Sequence, residues 1–166
     1  MFTVGDTVMH PSEGICTVEA IRPIAFSGKA RDYYVLRPSM EKSSSTVYIP
    51  VERGDTILRR LLSRQDILSL IHRSADCPSV WVEDSRLRRD AFQRIMAEGD
   101  HVKIIRMISD LHAHREKRVS EGKKPCASDE TLLGQAERLV HQEFSYVLHL
   151  SLEETVAFIR SELSAL

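Results

Sequence analysis

The stretch SRQDILSLI at positions 63–71 divides the sequence into two parts with different hydrophobic periods. Ser63 followed three residues later by Asp66 is the pattern of a capping box, in which each side chain bonds the backbone of the other residue. The apolar residues that follow recur at helical spacing, whereas those before tend to alternate with a period of two. The stretch therefore predicts a β domain of residues 1–62 and a helical domain of residues 63–166.

Composition places the chain among ordinary globular proteins. Of its 166 residues, 42% are hydrophobic and 28% are charged, which argues against disorder. No apolar run approaches the roughly 20 residues that a bilayer requires, and the first residues show no secretory signal. Cys16, Cys77 and Cys126 lie far apart, without a C-x-x-C pair. We expect a cytoplasmic protein with free thiols, no metal, no cofactor and no membrane contact.

The first sixty residues predict five short strands. β-branched and aromatic residues form brief runs between turn formers such as Ser27-Gly28. Pro50 should end a strand or lie at an edge, and Ser43-Ser44-Ser45 is expected to be a loop. Five short strands cannot form a wide sandwich. We therefore expect a strongly bent sheet that nearly closes on itself, as in a Tudor-like or SH3-like β-barrel. The strands are placed near 6–10, 14–22, 32–37, 45–49 and 56–61.

The remainder predicts five amphipathic helices in a compact all-α domain, so the fold class is α+β. After the helix that Ser63 caps, Asp84 or Ser85 caps a second that stops at Gly99, and Asp100 caps a third. A fourth opens at 128–130, and a last one follows Ser151. The apolar stripes are expected to be Leu87, Ala91, Phe92, Ile95 and Met96; Ile104, Ile105, Ile108 and Leu111; and Leu132, Leu133, Ala136, Leu139, Val140, Phe144 and Val147.

The near-zero net charge conceals an uneven distribution. Residues 58–125 carry fifteen basic and ten acidic groups, whereas residues 126–166 carry two basic and seven acidic groups. A positive central segment indicates contact with a polyanion, although a solvated, salt-bridged helix surface gives the same count.

Several motifs of the chain together resemble the CarD-type transcription regulators. They are Phe2-x-x-Gly5-Asp6-x-Val8-x-x-Pro11-x-x-Gly14, Val18-x-x-Ile21, Tyr34-Val35-Leu36 and Val47-Tyr48-Ile49-Pro50. The helical half is similar too, with a Trp, an Arg-rich helix and Gly99-Asp100. Trp81, however, lies further upstream of Gly99-Asp100 than in the best-studied branch. The resemblance implies a Tudor-like domain that docks on the RNA polymerase β subunit, followed by a helical domain.

The resemblance also implies which residues meet the polymerase. A docking domain needs an exposed strand edge with a few apolar and cationic side chains. The candidates are Arg22, Ile24, Val47, Tyr48 and Pro50. The alternative makes Ile24, Val47 and Ile49 ordinary core residues and Arg22 a solvated charge. Alternation along a strand places Tyr48 on the opposite face from Val47 and Ile49, so one of these sets should lie outside.

A second group of candidates could meet promoter DNA without reading sequence, through the backbone or the minor groove. Guanidinium groups pair bidentately with phosphate oxygens, and an exposed indole could wedge against an unstacked base step. The alternatives are a salt-bridged helix surface and a Trp packed against the helix of residues 87–96. The candidates are Trp81, Arg86, Arg88, Arg89, Lys103 and Arg106.

Nothing in the sequence indicates an enzyme or a small-molecule substrate. It has no G-x-S-x-G, phosphate loop or H-E-x-x-H motif. A Cys16 nucleophile with His10 lacks a third, orienting group, and the histidines, including His141, are expected at the surface or at helix ends. We therefore expect a regulator that binds polymerase and DNA and modulates open-complex stability at initiation. The alternative is an adaptor that docks on polymerase without touching DNA.

Overall fold

The computed structural model describes residues 1–26, 28–39 and 45–165. The chain divides into two compact units, Met1–Leu62 and Ser63–Leu166. Two of the expected turn segments, Ser27 and Ser43-Ser44, lie outside the described residues. The model confirms the predicted class, a β unit followed by an all-helical unit.

The N-terminal unit, in its described part, is built on a five-stranded antiparallel sheet. Its strand order is β4-β3-β2-β1-β5, so β4 and β5 are the edges. The sheet is not closed, which corrects the expectation of a nearly closed barrel. Pro50 ends the edge strand β4, as expected. The strands are β1 Thr7–His10, β2 Gly14–Ile24, β3 Arg31–Pro38, β4 Val47–Pro50 and β5 Arg59–Arg60.

One face of this sheet forms the core of the unit. Tyr34 is 1% exposed, and its hydroxyl accepts a hydrogen bond of 3.1 Å from the backbone N–H of Phe2. Alternation along β3 and β4 turns Tyr34 and Ile49 inward, so their sequence neighbours face outward. The buried core cluster is Phe2, Val8, Cys16, Val18, Tyr34, Leu36, Ile49 and Leu58.

A short helix, α1 (Val51–Ile57), stands where the sequence predicted the start of the last strand. The predicted strand at 56–61 is reduced to Arg59–Arg60. Gly54 allows the helix to approach the sheet, because a Cβ at this position would overlap the Tyr34 ring. The helix therefore depends on a contact with a residue twenty positions earlier in the chain, which local periodicity does not reveal.

The C-terminal unit contains five helices in its described part, as predicted. They are α2 Arg64–Asp76, α3 Ser85–Glu98, α4 His101–Ser120, α5 Ala127–Leu148 and α6 Leu152–Ser164. Both predicted capping boxes are present, at Ser63 with Asp66 and at Ser151 with Glu154. Asp84 and Asp100 cap α3 and α4 through their side chains, and Gly99 adopts the left-handed conformation that ends α3.

Three predictions about helix faces are corrected. Leu87 is 61% exposed and Leu139 is 44% exposed, although both were assigned to apolar stripes. Arg88, the neighbour of Leu87, turns inward instead. His141, expected at the surface, is buried. Helix α4 follows its prediction, since Ile104, Ile105, Ile108 and Leu111 are all buried.

None of the described helices is both long and apolar enough to span a membrane.

Candidate functional site

The outer face of the N-terminal sheet carries a groove next to the edge strand. It has a volume of about 360 Å³, and its lining residues are Arg22, Pro23, Ile24, Phe26 and Tyr48; we call it the aromatic groove. Three of them, Arg22, Ile24 and Tyr48, are residues that the sequence predicted to meet a partner. The structure thus brings together side chains from the end of β2, the following loop and β4.

Aromatic rings hold one side of the groove. Phe26 lies edge-on to Tyr33, with ring centres 5.2 Å apart, and edge-on to Tyr48, with ring centres 5.7 Å apart. Phe26 is nevertheless 63% exposed and Tyr48 37% exposed. Large aromatic rings that remain accessible in a groove are typical of binding hot spots.

Strand register explains why these side chains share one face. Arg22 pairs with Tyr33, and Tyr33 pairs with Pro50 in the next strand. Residues opposite one another in a ladder point to the same face, so Arg22, Tyr33 and Pro50 form one row. Tyr48 belongs to the adjacent row on that face, opposite Val35.

Val47 does not contribute to this surface. It packs against the buried core cluster, as its neighbour Ile49 does. The predicted alternation between Tyr48 and its two neighbours is confirmed, and of the two sets it is Tyr48 that lies outside.

The edge strand beside the groove has a free side. Among the described strands, β4 pairs only with β3. Its other side therefore presents backbone groups to which an extended segment of a partner can hydrogen-bond. Groove and edge together can recognise a strand-like segment, with the backbone supplying pairing and the aromatic groove supplying side-chain selectivity.

The helical unit holds Trp81 between two side chains. The Arg88 guanidinium carbon lies 4.2 Å from the Trp81 ring centre, and the His114 ring stacks parallel to it at 3.4 Å between centres. Phe92 meets the same indole edge-on at 6.3 Å. The indole Nε1 is buried and finds no hydrogen-bond partner in the described part of the chain. This arrangement favours the packing interpretation of Trp81.

Arg88 is 5% exposed, and its guanidinium donates four hydrogen bonds. Its Nε and Nη2 each donate a 3.0 Å hydrogen bond to a different carboxylate oxygen of Asp129. Its Nη1 donates to the carbonyls of Val82 and Glu83, at 2.7 and 3.0 Å. Arg88 is predicted to contact DNA, but in the structure it is buried. Its guanidinium already binds these partners and has no pair of N–H groups available for a phosphate.

The comparison with known proteins concerns the N-terminal unit. Residues 2–62 match the model of the CarD-like/TRCF RID domain. The N-terminal unit is therefore similar to this domain, and the match covers less than half of the chain. It is also 35% identical over 72 residues to a Bacillus subtilis (strain 168) protein named "Putative transcription factor YdeB". That similarity covers 43% of this chain and 44% of the relative, so the chain spans less than half the length of the curated relative it matches.

The aromatic groove and the edge of β4 that pairs with no described strand both lie within the residues that match the RID domain. Sequence reasoning missed two groove residues, Pro23 and Phe26. Phe26 could have been noticed as an aromatic residue just before the turn formers at 27–28. A search for buried core residues does not select a residue in that position.

Cys16 and His10 of the N-terminal unit are not joined by a hydrogen bond in the described part of the chain, and each has its own surroundings. Burial raises the pKa of the Cys16 thiol to about 11, so the thiolate that a nucleophile needs is disfavoured. His10 Nδ1 accepts hydrogen bonds from the backbone N–H groups of Ser12 and Glu13, at 3.3 and 3.2 Å. The histidine thus stabilises the β1–β2 turn.

The other predicted DNA-contacting cations are mostly paired. Lys103 lies 3.7 Å from both Glu98 and Asp100, and Arg106 binds the buried Asp110 at 3.0 Å. Arg89 is 3.8 Å from Asp90. Arg86 alone among the six candidates is an exposed cation without an ion-pair partner in the described residues.

Proposed function

We propose that the protein regulates transcription by docking its RID domain on bacterial RNA polymerase while the helical unit contacts promoter DNA. The observation that carries the proposal is the aromatic groove beside the unpaired edge of β4, inside a domain of a polymerase-interacting family. The name of the Bacillus subtilis relative supports a role in transcription.

The polymerase β subunit is the proposed docking partner. An extended segment of this subunit would pair with the free edge of β4 and place an apolar side chain against Phe26 and Tyr48. Arg22 would attract an acidic residue of the same segment. Backbone pairing supplies affinity, and the groove supplies selectivity.

Docking makes a weak DNA contact effective. Two contacts made by one molecule on the same assembly act at a high effective concentration, so the second need not be strong. If this DNA contact is stronger on the melted promoter than on the closed promoter, it shifts the equilibrium toward the melted state. The size of the shift is set by the ratio of the two affinities. The formal net charge of −1 suits a factor that should not coat DNA by itself.

An adaptor without DNA contact is the second candidate function. The observation in its favour is that Arg88, Lys103 and Arg106 are already paired with carboxylates. In that case the helical unit would hold a protein partner. A full-length chain that binds the polymerase β fragment but does not bind duplex DNA at low salt would favour the adaptor.

A pull-down with a fragment of the polymerase β subunit tests the docking step. Tyr48→Ala and Phe26→Ala should each weaken binding by about thirtyfold, since truncation of an interface hot spot costs on the order of 2 kcal/mol. Tyr146→Ala is the matched control, because Tyr146 is 40% exposed but lies on α5. Equal retention of the fragment by wild type and all three variants would contradict the proposal.

A further inference from the structure

The surface of α3 is poorly suited to phosphate contacts. Helix α3 and the residues beside it, 83–100, carry four basic and five acidic groups, of which Glu83, Asp84 and Asp100 lie outside the helix. One of the basic groups, Arg88, is buried against Asp129. The exposed charges of this segment are therefore acidic in balance, and a polyanion approaching it meets repulsion as well as attraction.

A different segment of the helical unit holds a cluster of positive charge. Residues 115–124, here called the basic turn, cover the end of α4 and the start of the connection to α5. They carry five basic and two acidic groups. One acid, Glu121, accepts a 2.7 Å hydrogen bond from Lys123, and Arg115 pairs with Glu130 of α5 at 3.2 Å. Three cations remain, Lys117, Arg118 and Lys124, beside the one carboxylate of Glu116.

These three cations face no carboxylate at ion-pair distance in the part of the chain that the structure describes. Arg118 Nε donates to the backbone carbonyl of Lys124 at 3.0 Å, a neutral partner that leaves the guanidinium charge uncompensated. Lys117 and Lys124 are exposed. The pKa of Glu121 is held below its usual value by its hydrogen bond from Lys123, with further contributions from Lys117 and Arg118. The local potential is therefore positive.

The backbone of the basic turn is fixed. The Lys123 N–H donates to the Arg118 carbonyl at 2.9 Å, and the Gly122 N–H donates to that of Val119 at 3.0 Å. Gly122 has a φ of 73°, the left-handed region that glycine adopts without strain. Because the turn already has one conformation, its backbone loses little conformational entropy when it binds, and this favours affinity.

We propose that the basic turn, rather than α3, is the phosphate-contacting surface of the helical unit, and that its partner is the backbone of duplex DNA. The inference rests on the proposed function for the choice of DNA as the polyanion. Lysine and arginine contacts to phosphate release counterions and carry no sequence information. Binding through the basic turn is therefore strongly salt-dependent and tolerant of sequence.

Salt-dependent binding of the full-length chain to a labelled duplex of about 30 base pairs tests the inference. The Lys117→Gln and Lys124→Gln double variant removes two exposed charges and leaves the Arg118 hydrogen bond intact. The slope of log affinity against log salt is negative, and each lost phosphate contact reduces its magnitude by about 0.9. The double variant should therefore reduce the magnitude of the slope by about two and bind about tenfold more weakly at low salt.

The matched control is the Arg86→Gln and Arg89→Gln double variant on α3, which should keep both the affinity and the slope of wild type. Unchanged circular dichroism and melting temperature verify that both variants fold. Loss of DNA binding in the α3 variant but not in the turn variant would overturn the inference and leave the proposed function intact.

Two further outcomes also count against the inference. If wild type does not bind the duplex at the lowest salt, both the inference and the DNA half of the proposed function fail, while the pull-down of the β fragment still tests docking. If the turn variant binds DNA normally but loses the β fragment, the basic turn meets an acidic protein surface instead.

Discussion

The guanidinium of Arg88 and the imidazole of His114 lie on opposite faces of the Trp81 ring. Both are within van der Waals reach of the ring centre, at 4.2 Å and 3.4 Å, and one face cannot accommodate both. Arg88 comes from α3 and His114 from α4, so the stack ties the segment between α2 and α3 to two helices. Asp110 of α4 holds the same segment by accepting hydrogen bonds from Ser79 and from the backbone of Val80, at 2.9 and 2.8 Å.

Replacing Arg88 should destabilise the helical unit. Arg88→Ala leaves Asp129 without its bidentate partner in a largely buried site, and breaking such a pair costs about 3 kcal/mol or more. Arg88→Lys keeps the charge but not the fork geometry and should recover only part of the loss. Urea unfolding followed by far-UV circular dichroism measures the effect. Arg86→Ala, an exposed arginine of the same helix, should change the free energy of unfolding by less than about 0.5 kcal/mol.

The stack predicts that Trp81 contributes to stability. Trp81→Ala removes contacts with Arg88, Phe92 and His114 and should lower the free energy of unfolding by about 3 kcal/mol. Trp81→Phe keeps an aromatic ring and removes the buried, unpaired Nε1 donor, so it should cost much less. Unfolding should be followed by circular dichroism, because both variants lack the one Trp of the chain and cannot be followed by its fluorescence. If Trp81→Ala is as stable as wild type, the packing interpretation is wrong and Trp81 is available to contact DNA.

Local signals in the sequence were sufficient for the helix ends. The capping boxes at Ser63 and Ser151 and the left-handed Gly99 depend on residues within one turn, so their patterns are readable along the chain. The order of strands and helices followed from the change of hydrophobic period. Missed features depend on distant partners. Nothing near Arg88 indicates that its carboxylate lies 41 residues away at Asp129.

The candidate site, like the fold, was predictable where it depends on local sequence and not where it depends on the pairing of distant segments. Alternation placed Tyr48 outside, because it is a local property of a strand. The position of Phe26 beside Tyr48 depends on the pairing of three strands, which alternation does not determine. The pairing of Lys103 and Arg106 with carboxylates could likewise not be read from composition.

Gly54 is expected to tolerate no side chain. Gly54→Ala would push a methyl group into the buried Tyr34 ring, and overpacking of this kind costs about 1–3 kcal/mol. Gly134→Ala is the matched control within α5, where nothing lies within 4 Å of the added carbon. Because alanine favours a helix over glycine, that variant should be more stable by about 0.5–1 kcal/mol. Melting temperatures of the two variants should therefore move in opposite directions, and a Gly54→Ala protein that melts like wild type would contradict the close approach.

His141 should make the helical unit less stable in mild acid. It is 7% exposed, and burial lowers its pKa below the ordinary value of 6.5, opposed by the nearby charge of Glu137 and reinforced by His112. Between these two pKa values the unfolded chain binds more protons than the folded one, so the free energy of unfolding falls as the pH drops below about 6.5. His141→Gln cannot titrate and should flatten this dependence.

Chemical denaturation of wild type and His141→Gln at pH 8, 7, 6 and 5 (about one-unit steps across the ordinary histidine range) isolates this contribution. At pH 8 the imidazole is neutral in both the folded and the unfolded chain, so the difference between the two proteins there is the constant effect of the substitution. The wild type should lose stability relative to the variant only as the pH falls below about 6.5. A difference that stays constant down to pH 5 would mean that His141 is charged as readily in the folded chain as in the unfolded one, which its burial between α4, α5 and α6 argues against.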